Sequence, residues 1–272
     1  MGIRDFLFHN ALAEKWAYKH KNSIRVQNAN RFDVPKKKAR NNHVTIYGAD
    51  NDFFMSDGQL LSGCNINVSG KSNRVHIGLN SMTGDFANNT IMIRGNNNII
   101  EIDDGTRLTS CSLFIAGNNN LIHICKDCSM VITAIHMEQD HNTVTINDGC
   151  TFHGRDNSAV EFALDEGSSI TLQRDCMISN EVRFRSSDSH SIVDMNGHRL
   201  NPAANITIAE HTWICLGCII LKGFSNGKNT VIAAGSLCSK PIPDENVIIG
   251  GNPAVVLKKT IGWDRKFVDE ED

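Results

Sequence analysis

From residue 42 onward the chain alternates hydrophobic and polar positions in short bursts, each opened by an Asn. Asn42-His-Val-Thr-Ile46, Asn73-Arg-Val-His-Ile77 and Asn89-Thr-Ile-Met-Ile93 set the pattern, and bursts opened by Asn98, Asn120 and Asn142 continue it. Alternation over five residues predicts a half-buried strand. The intervening Gly95-Asn-Asn-Asn98 and Gly117-Asn-Asn-Asn120 suit corners, where Asn and Gly tolerate positive φ and Asn hydrogen-bonds locally. These corners lie 22 residues apart, and Asn120 to Asn142 is 22 again.

Farther on the spacing tightens. Ile208, Ile214, Ile220 and Ile232 share a period of six, with Asn226 as the polar break in the register. Six fits neither the 3.6 of a helix nor the strict 2 of a strand. It fits a coiled prism in which each short strand contributes one inward aliphatic before a turn, three strands closing a coil of about 18 residues. The excess of 22 over 18 reads as a short extra loop per coil or as longer rungs. The Asn corners read as structural ladders.

Upstream, Phe6, Leu7, Ala11, Ala13, Trp16 and Ala17 form a stripe that predicts a helix over residues 1 to about 22, and 27–41 read as a connector. The solvated Pro35-Lys-Lys-Lys38 run belongs to that connector.

Composition narrows the class. Only 6% of the residues are aromatic, as expected of a narrow core of Ile, Val and Leu, and a net charge of −3 argues against nucleic acid as a partner. Charges at Arg4, Asp5, Glu14 and Lys15 argue against a secretory signal, and no apolar run approaches the roughly 18 residues of a spanning helix. Nine Cys without a compact framework point to a reducing cytoplasm. Cys125/Cys128 and Cys215/Cys218 have the spacing of zinc chelators, yet sit in apolar strand-like segments where Cys serves as a small inward residue, so no metal is expected.

The candidate chemistry lies in the polar stretch 186–204, which interrupts the repeat. His190 stands among hydroxyl groups with Asp188 and Asp194 nearby, a general base with an orienting carboxylate in reach. Trp213 follows 23 residues later, about one coil plus a short loop, which should bring the two near each other on adjacent rungs, and its indole is too large for a narrow prism. It should lie outside, as the wall of an acyl pocket or packed on a loop or another subunit. His211 should project from a corner, and His76 and His123 should face solvent.

The segment from Asn205 to Gly223, then Asn229-Thr-Val-Ile-Ala-Ala-Gly-Ser236, Lys240, Pro243 and Gly251-Asn-Pro-Ala254, resembles the last coils of hexapeptide-repeat acyltransferases. The Ser-Asp-Ser-His190 block with Asp194 and Arg199 resembles the subgroup that O-acetylates bacterial capsular and related surface polysaccharides. The match covers about 186–263. The resemblance implies a left-handed parallel β-helix, acetyl-CoA as donor and a homotrimer with the donor in a groove between subunits. It places the catalytic His on His190 and the characteristic Trp on Trp213. Gly217, Ala233, Ala234 and Gly235 fall where the pantetheine arm binds, Pro253 at the adenine, and Lys240, Lys258 and Lys259 at the phosphates. Asp194 and Arg199 become candidates for the acceptor. The Gly usual at the second place of a hexad is Ala209, Cys215 and Ala233 here, a departure that bears on the pantetheine contacts.

The expected fold is therefore all-β: an N-terminal helical arm and linker over 1–41, Asn-rich coils over 42–185, catalytic coils over 186–256 and a tail over 257–272. The expected function is acetyl transfer to a sugar hydroxyl of a polysaccharide or oligosaccharide, without nucleic acid or membrane span. The alternatives are a small acceptor such as a nucleotide sugar or amino acid, or a non-catalytic glycan-binding solenoid.

Overall fold

The computed structural model describes residues 21–27, 29–34, 39–56, 60–78, 85–155, 158–260 and 262–266. The helix stripe, the Pro35–Lys38 run and the acidic tail lie outside the described residues, and of the expected N-terminal helix only 21–22 are described, which are not helical. All described regular structure is β, and no described helix is long and apolar enough to cross a membrane.

The chain winds as a three-sided prism. Its strands stack into a ten-stranded first face, an eight-stranded second face and an eleven-stranded third face, each visited once per coil. Every pairing between successive coils is parallel, and the one exception is the hairpin of Val247–Gly251 with Ala254–Lys259. The coil starts earlier than residue 42: Ser23–Val26, Arg31–Asp33 and Ala39–Arg40 pair in parallel with the next coil. The connector thus holds a short, irregular first rung, too interrupted by Asn, Lys and Pro to show alternation.

The longer rung is real and not an 18-residue coil with an appended loop. Thr90 pairs with Ser112 and Ser112 with Ala134, an advance of 22 residues each time, whereas Ile219 pairs with Leu237, an advance of 18. Inward side chains stack along each face. Leu61, Phe86, Leu108, Met130, Phe152, Ile178, Ile214, Ile232 and Ile249 succeed one another up the third face, all essentially without exposure. The core departs from the all-aliphatic expectation. Phe53, Phe86, Phe152, Phe162, Phe184 and Phe224 are fully buried, and Phe162 stacks on Phe184 at 4.5 Å. Longer rungs enclose a wider interior, which admits a ring wherever neighbouring layers supply smaller side chains.

The corners carry the expected ladders. Between the first and second faces, Asn51, Asn73, Asn98, Asn120 and Asn142 stack, the Oδ1 of each of the first four accepting the backbone N–H and the side-chain Nδ2–H of the Asn one coil on. Each of the first four also donates through Nδ2 to a carbonyl of the next corner, such as Gly95 or Gly117. Beside them a Cβ on Gly70 or Gly95 would collide with the carbonyl oxygen of the next glycine in the stack. Asn226, the polar break in the hexads, is buried and satisfied by the same logic: it donates to Thr212 Oγ1 and the Gly227 carbonyl and accepts from the Ala209 N–H.

Replacing Asn120 with Ala leaves the Asn142 N–H and the Gln139 carbonyl without these side-chain partners. Each buried group so orphaned costs about 1–3 kcal/mol. A clear drop in the urea unfolding midpoint is expected, and an unchanged midpoint would rule out a stabilising role for the ladder.

Candidate active site

The Asn ladder ends at Asn142. The next positions are Ser168, whose N–H donates to Asn142 Oδ1, and Ser186, whose hydroxyl lies 2.7 Å from that of Ser168. Directly after Ser186 the chain leaves the prism, and Arg183–Arg185 is followed by Ile206–Ile208 only after the excursion 186–204. The excursion is built, not loose: Val193 bridges Arg199 antiparallel, Asp194 and His198 bond through their backbones, and Leu200 N–H donates to the Ile192 carbonyl.

Three polar clamps hold it. Arg199 makes a bidentate pair with Glu166 of the corner one coil earlier, at 2.6 and 2.7 Å, and the Ser187 hydroxyl also donates to Glu166 at 2.7 Å. These contacts hold the Glu166 carboxyl at about 2, against an ordinary 4.5. Asp188 accepts from Lys222 Nζ at 2.6 Å and Asn201 Nδ2 at 2.7 Å, which lowers its pKa. Buried Asn201 also donates to the His190 carbonyl and accepts from the Ile192 N–H. Asp194 is held low by N–H groups of its own turn, that of His198 first.

The predicted residues sort accordingly. His190 is exposed, its backbone pinned by Asn201 and its ring without a hydrogen-bond partner among the described residues. Asp188 makes no hydrogen bond to that ring; its Oδ2 accepts from both Lys222 and Asn201. Arg199 and Asp194 likewise build the excursion.

Trp213 and His190 are not brought together within one chain. His190 stands at the first-to-second corner, whereas Trp213–Ile214 is a third-face strand pairing with Met177 and Val231. Trp213 lies outside the prism, as its size requires, and meets Trp263 of the tail with centroids 5.9 Å apart. His211 does occupy a corner, at φ 54, but it is locked: Nδ1 lies 2.6 Å from Asp175, its ring stacks on Trp263 at 4.3 Å, and Nε2 lies 3.0 Å from the Trp263 carbonyl.

At the third-to-first corner, Gly217 and Gly235 stack on successive coils, and nothing lies within 4 Å of a Cβ built on either. Ala233 and Ala234 adjoin them, and the turn at Asn252–Pro253 lies beyond. This corner offers exposed backbone to an elongated ligand. The lysines form no single cluster: Lys240 follows Leu237–Cys238 of the first face, while Lys258 and Lys259 end the hairpin strand opposite Ile248 and Val247.

His76 and His123 are half-buried and pair with Asp52 and Asp103, short of the free solvent exposure expected. Cys128 and Cys218 point into the core while Cys125 and Cys215 point outward, so neither pair converges on a metal. Asp103, His123 and Cys125 do gather three donors, yet Cys125 Sγ lies 3.8 and 4.0 Å from the two ring nitrogens, beside the ring and not along a lone pair.

No protein-family model matches the chain. It is 32% identical over 97 residues to a polysialic acid O-acetyltransferase of Escherichia coli O1:K1, covering 35% of this chain and 31% of that protein. It is 35% identical over 104 residues to the galactoside O-acetyltransferase of Lactococcus lactis, covering 35% of this chain and 48% of the relative. The matches span less than half the length of these relatives. Among solved structures, the polySia-specific acetyltransferase NeuO superposes with a TM-score of 0.68 at 29% identity, over 76% of this chain and 85% of that one. The polysialic acid O-acetyltransferase OatWY shares the fold, with a TM-score of 0.53 at 21% identity over 90% of this chain and 95% of its own. Polysialic acid O-acetyltransferases are thus homologues of the chain, and the fold is the left-handed parallel β-helix that the resemblance implies.

The depressed Glu166 carboxyl contributes stability that is present above its unfolded value near 4.5 and lost as pH falls towards 2. The excursion should therefore loosen across that window. Hydrogen exchange over 188–201 should rise there, and Glu166→Gln should raise exchange already at neutral pH and flatten the acid step. An acid step of equal size in the variant would assign it to another group.

Proposed function

We propose that the protein is an O-acetyltransferase that moves acetyl from acetyl-CoA to a sugar hydroxyl of a bacterial capsular or related surface polysaccharide, with His190 as the general base. The observation that carries this reading is His190 itself. It is an exposed imidazole with no competing partner among the described residues, presented by an excursion that Arg199, Asp188 and Asn201 tie down. A base must reach its proton unobstructed, and a rigid backbone holds the ring in place for attack. The names of the homologues agree in chemistry.

Acetyl-CoA supplies the acetyl group as a thioester. The open corner at Gly217 and Gly235, with Ala233 and Ala234, fits the pantetheine arm because nothing fills the space where a Cβ would stand. The Ala at the second place of a hexad leaves that approach clear, since Ala233 lies beside the opening and does not close it. Pro253 would adjoin the adenine. Lys258 and Lys259 can meet phosphates from the third face, and Lys240 from the first. His190 takes the hydroxyl proton as the oxygen attacks the thioester carbonyl and returns it to the CoA sulfur as the C–S bond breaks; Asp188, Asp194 and Arg199 act through the shape of the excursion.

Trp213 enters this site from a second copy. One chain keeps His190 at the first-to-second corner and Trp213 on the third face, while its surface carries two apolar patches. Ile192, Val193, Met195 and Leu200 lie exposed on the excursion, and Leu216, Val255, Val256 and Leu257 on the corner and hairpin. Two unlike patches on one chain fit a head-to-tail contact that closes a ring, the homotrimer the resemblance implies.

His190→Ala should lower transfer by ~10²–10⁴ with thermal unfolding unchanged. Mixing His190→Ala with Trp213→Ala chains should restore part of the activity, because some interfaces then carry both wild-type residues. Unchanged turnover in the first variant would remove His190 from the mechanism, and failure to complement would place both residues in one chain's site.

Replacing Lys258 and Lys259 with Ala should raise the KM for acetyl-CoA roughly tenfold and spare that for the glycan, through loss of charge-assisted phosphate contacts. A loss of glycan affinity alone would move the donor to another surface.

A further inference from the structure

Beside the excursion the first face carries a depression of about 390 Å³, bordered by His136, Glu138, Glu161, Asp165, Arg185 and Ser189. Ser189 immediately precedes His190. Asp165 is the unusual member: only 7% of it is exposed, and its Oδ1 is buried without a hydrogen-bond partner. Asp165 shares this depression with Ser189. Burial, then the nearby Glu138 charge, raises its pKa, as expected of an acid short of donors. An orphaned buried acceptor is costly unless a ligand donates to it.

The surroundings fit a sugar. Glu138 is engaged by His136 at 2.9 Å and Glu161 by Arg183 at 3.4 Å, which leaves Arg185 to donate and Asp165 to accept. The depression does not end there. His136, on its rim, stacks on Phe114 of the preceding coil with ring centroids 4.3 Å apart at 28°. Both project outward from the first face, so an aromatic surface continues from the depression away from His190 along the Asn-rich coils. The outward edges of this stacked pair offer apolar C–H surface to sugar rings.

From this continuity we infer that the first face is the acceptor track: Asp165 and Arg185 hold a glycan unit next to His190, and Phe114 with His136 carries further units of the same chain. The acceptor is accordingly a polymer and not a single sugar. This rests on the acetyltransferase reading for its purpose, but it concerns binding and can be tested without acetyl-CoA.

The test measures binding of short and long sialic acid oligomers, and of short and long chito-oligosaccharides, to the full protein by calorimetry and saturation-transfer NMR. In at least one series the long oligomer should bind more tightly than the short one. Phe114→Ala should remove about fivefold to tenfold of the long oligomer's affinity and leave the short one unchanged. Asp165→Asn should weaken both, with the thermal midpoint held near wild type. Asp165→Ala, read by transfer from acetyl-CoA, should raise the acceptor KM and spare the acetyl-CoA KM. Equal affinity for short and long oligomers, absence of binding in both series, or Asp165 variants that alter only thermal stability would overturn the inference. Length-dependent binding without any acetyl transfer would instead leave the track standing and overturn the enzymatic reading.

Discussion

Everything in this molecule depends on the stacking of corners. A parallel β-helix satisfies its strand backbone between coils, but three times per coil the chain must turn, and each turn removes backbone groups from the ladder. The chain answers with residues at positive φ in vertical register, Gly105, Asp127, Gly149, Asp175, His211 and Asn229 along one corner alone. At the Asn corner one side chain does the work of two, accepting from the coil above and donating to a carbonyl. Such a stack tolerates no drift in register, since a coil out of phase would orphan polar atoms on both neighbours.

The candidate site is where that stack stops. Past Asn142 the ladder position is filled by Ser168 and Ser186, whose hydroxyls bond one another and leave the corner without an Asn to bind the next coil. There the chain departs from the prism, and the rung advance changes from 22 to 18 beyond it. The excursion then needs its own anchors, supplied by Glu166 and Ser187 below, Lys222 above and Asn201 within. Ion pairs that are partly shielded hold a segment better than exposed ones, and Glu166 and Lys222 are about four-fifths withdrawn from solvent. The rigidity reaches His190 through its backbone, while its ring remains available.

The opposite corner is finished differently. Residues 262–266 fold back over it. Trp263 stacks on His211 and donates to its carbonyl, and Arg265 reaches Asp175 and Thr151. This tail explains why His211 is an engaged structural residue and why Trp213 is only half open. A Trp and an Arg just past the last hexad were the available signal, yet their partners lie 52 and 90 residues away.

By itself the sequence determined the solenoid, its corners and the interruption at 186–204, because in a coil the neighbours of a residue are fixed by local spacing. Asn98, Asn120 and Asn142 stand one rung apart, and that interval alone places them on one edge. It also singled out His190, as the imidazole among hydroxyl groups in the stretch that breaks the period. What it could not determine were contacts that ignore the period. Glu166 with Arg199, Asp188 with Lys222 and the unpartnered Asp165 beneath Ser189 depend on how an inserted segment lies back on the prism. The aromatic core was hidden for a related reason: whether a Phe fits inside depends on rung width and on the layers above and below it. The distance between His190 and Trp213 was likewise decided by tertiary structure, since a separation of 23 residues says how far the chain has travelled but not at which corner each residue stops.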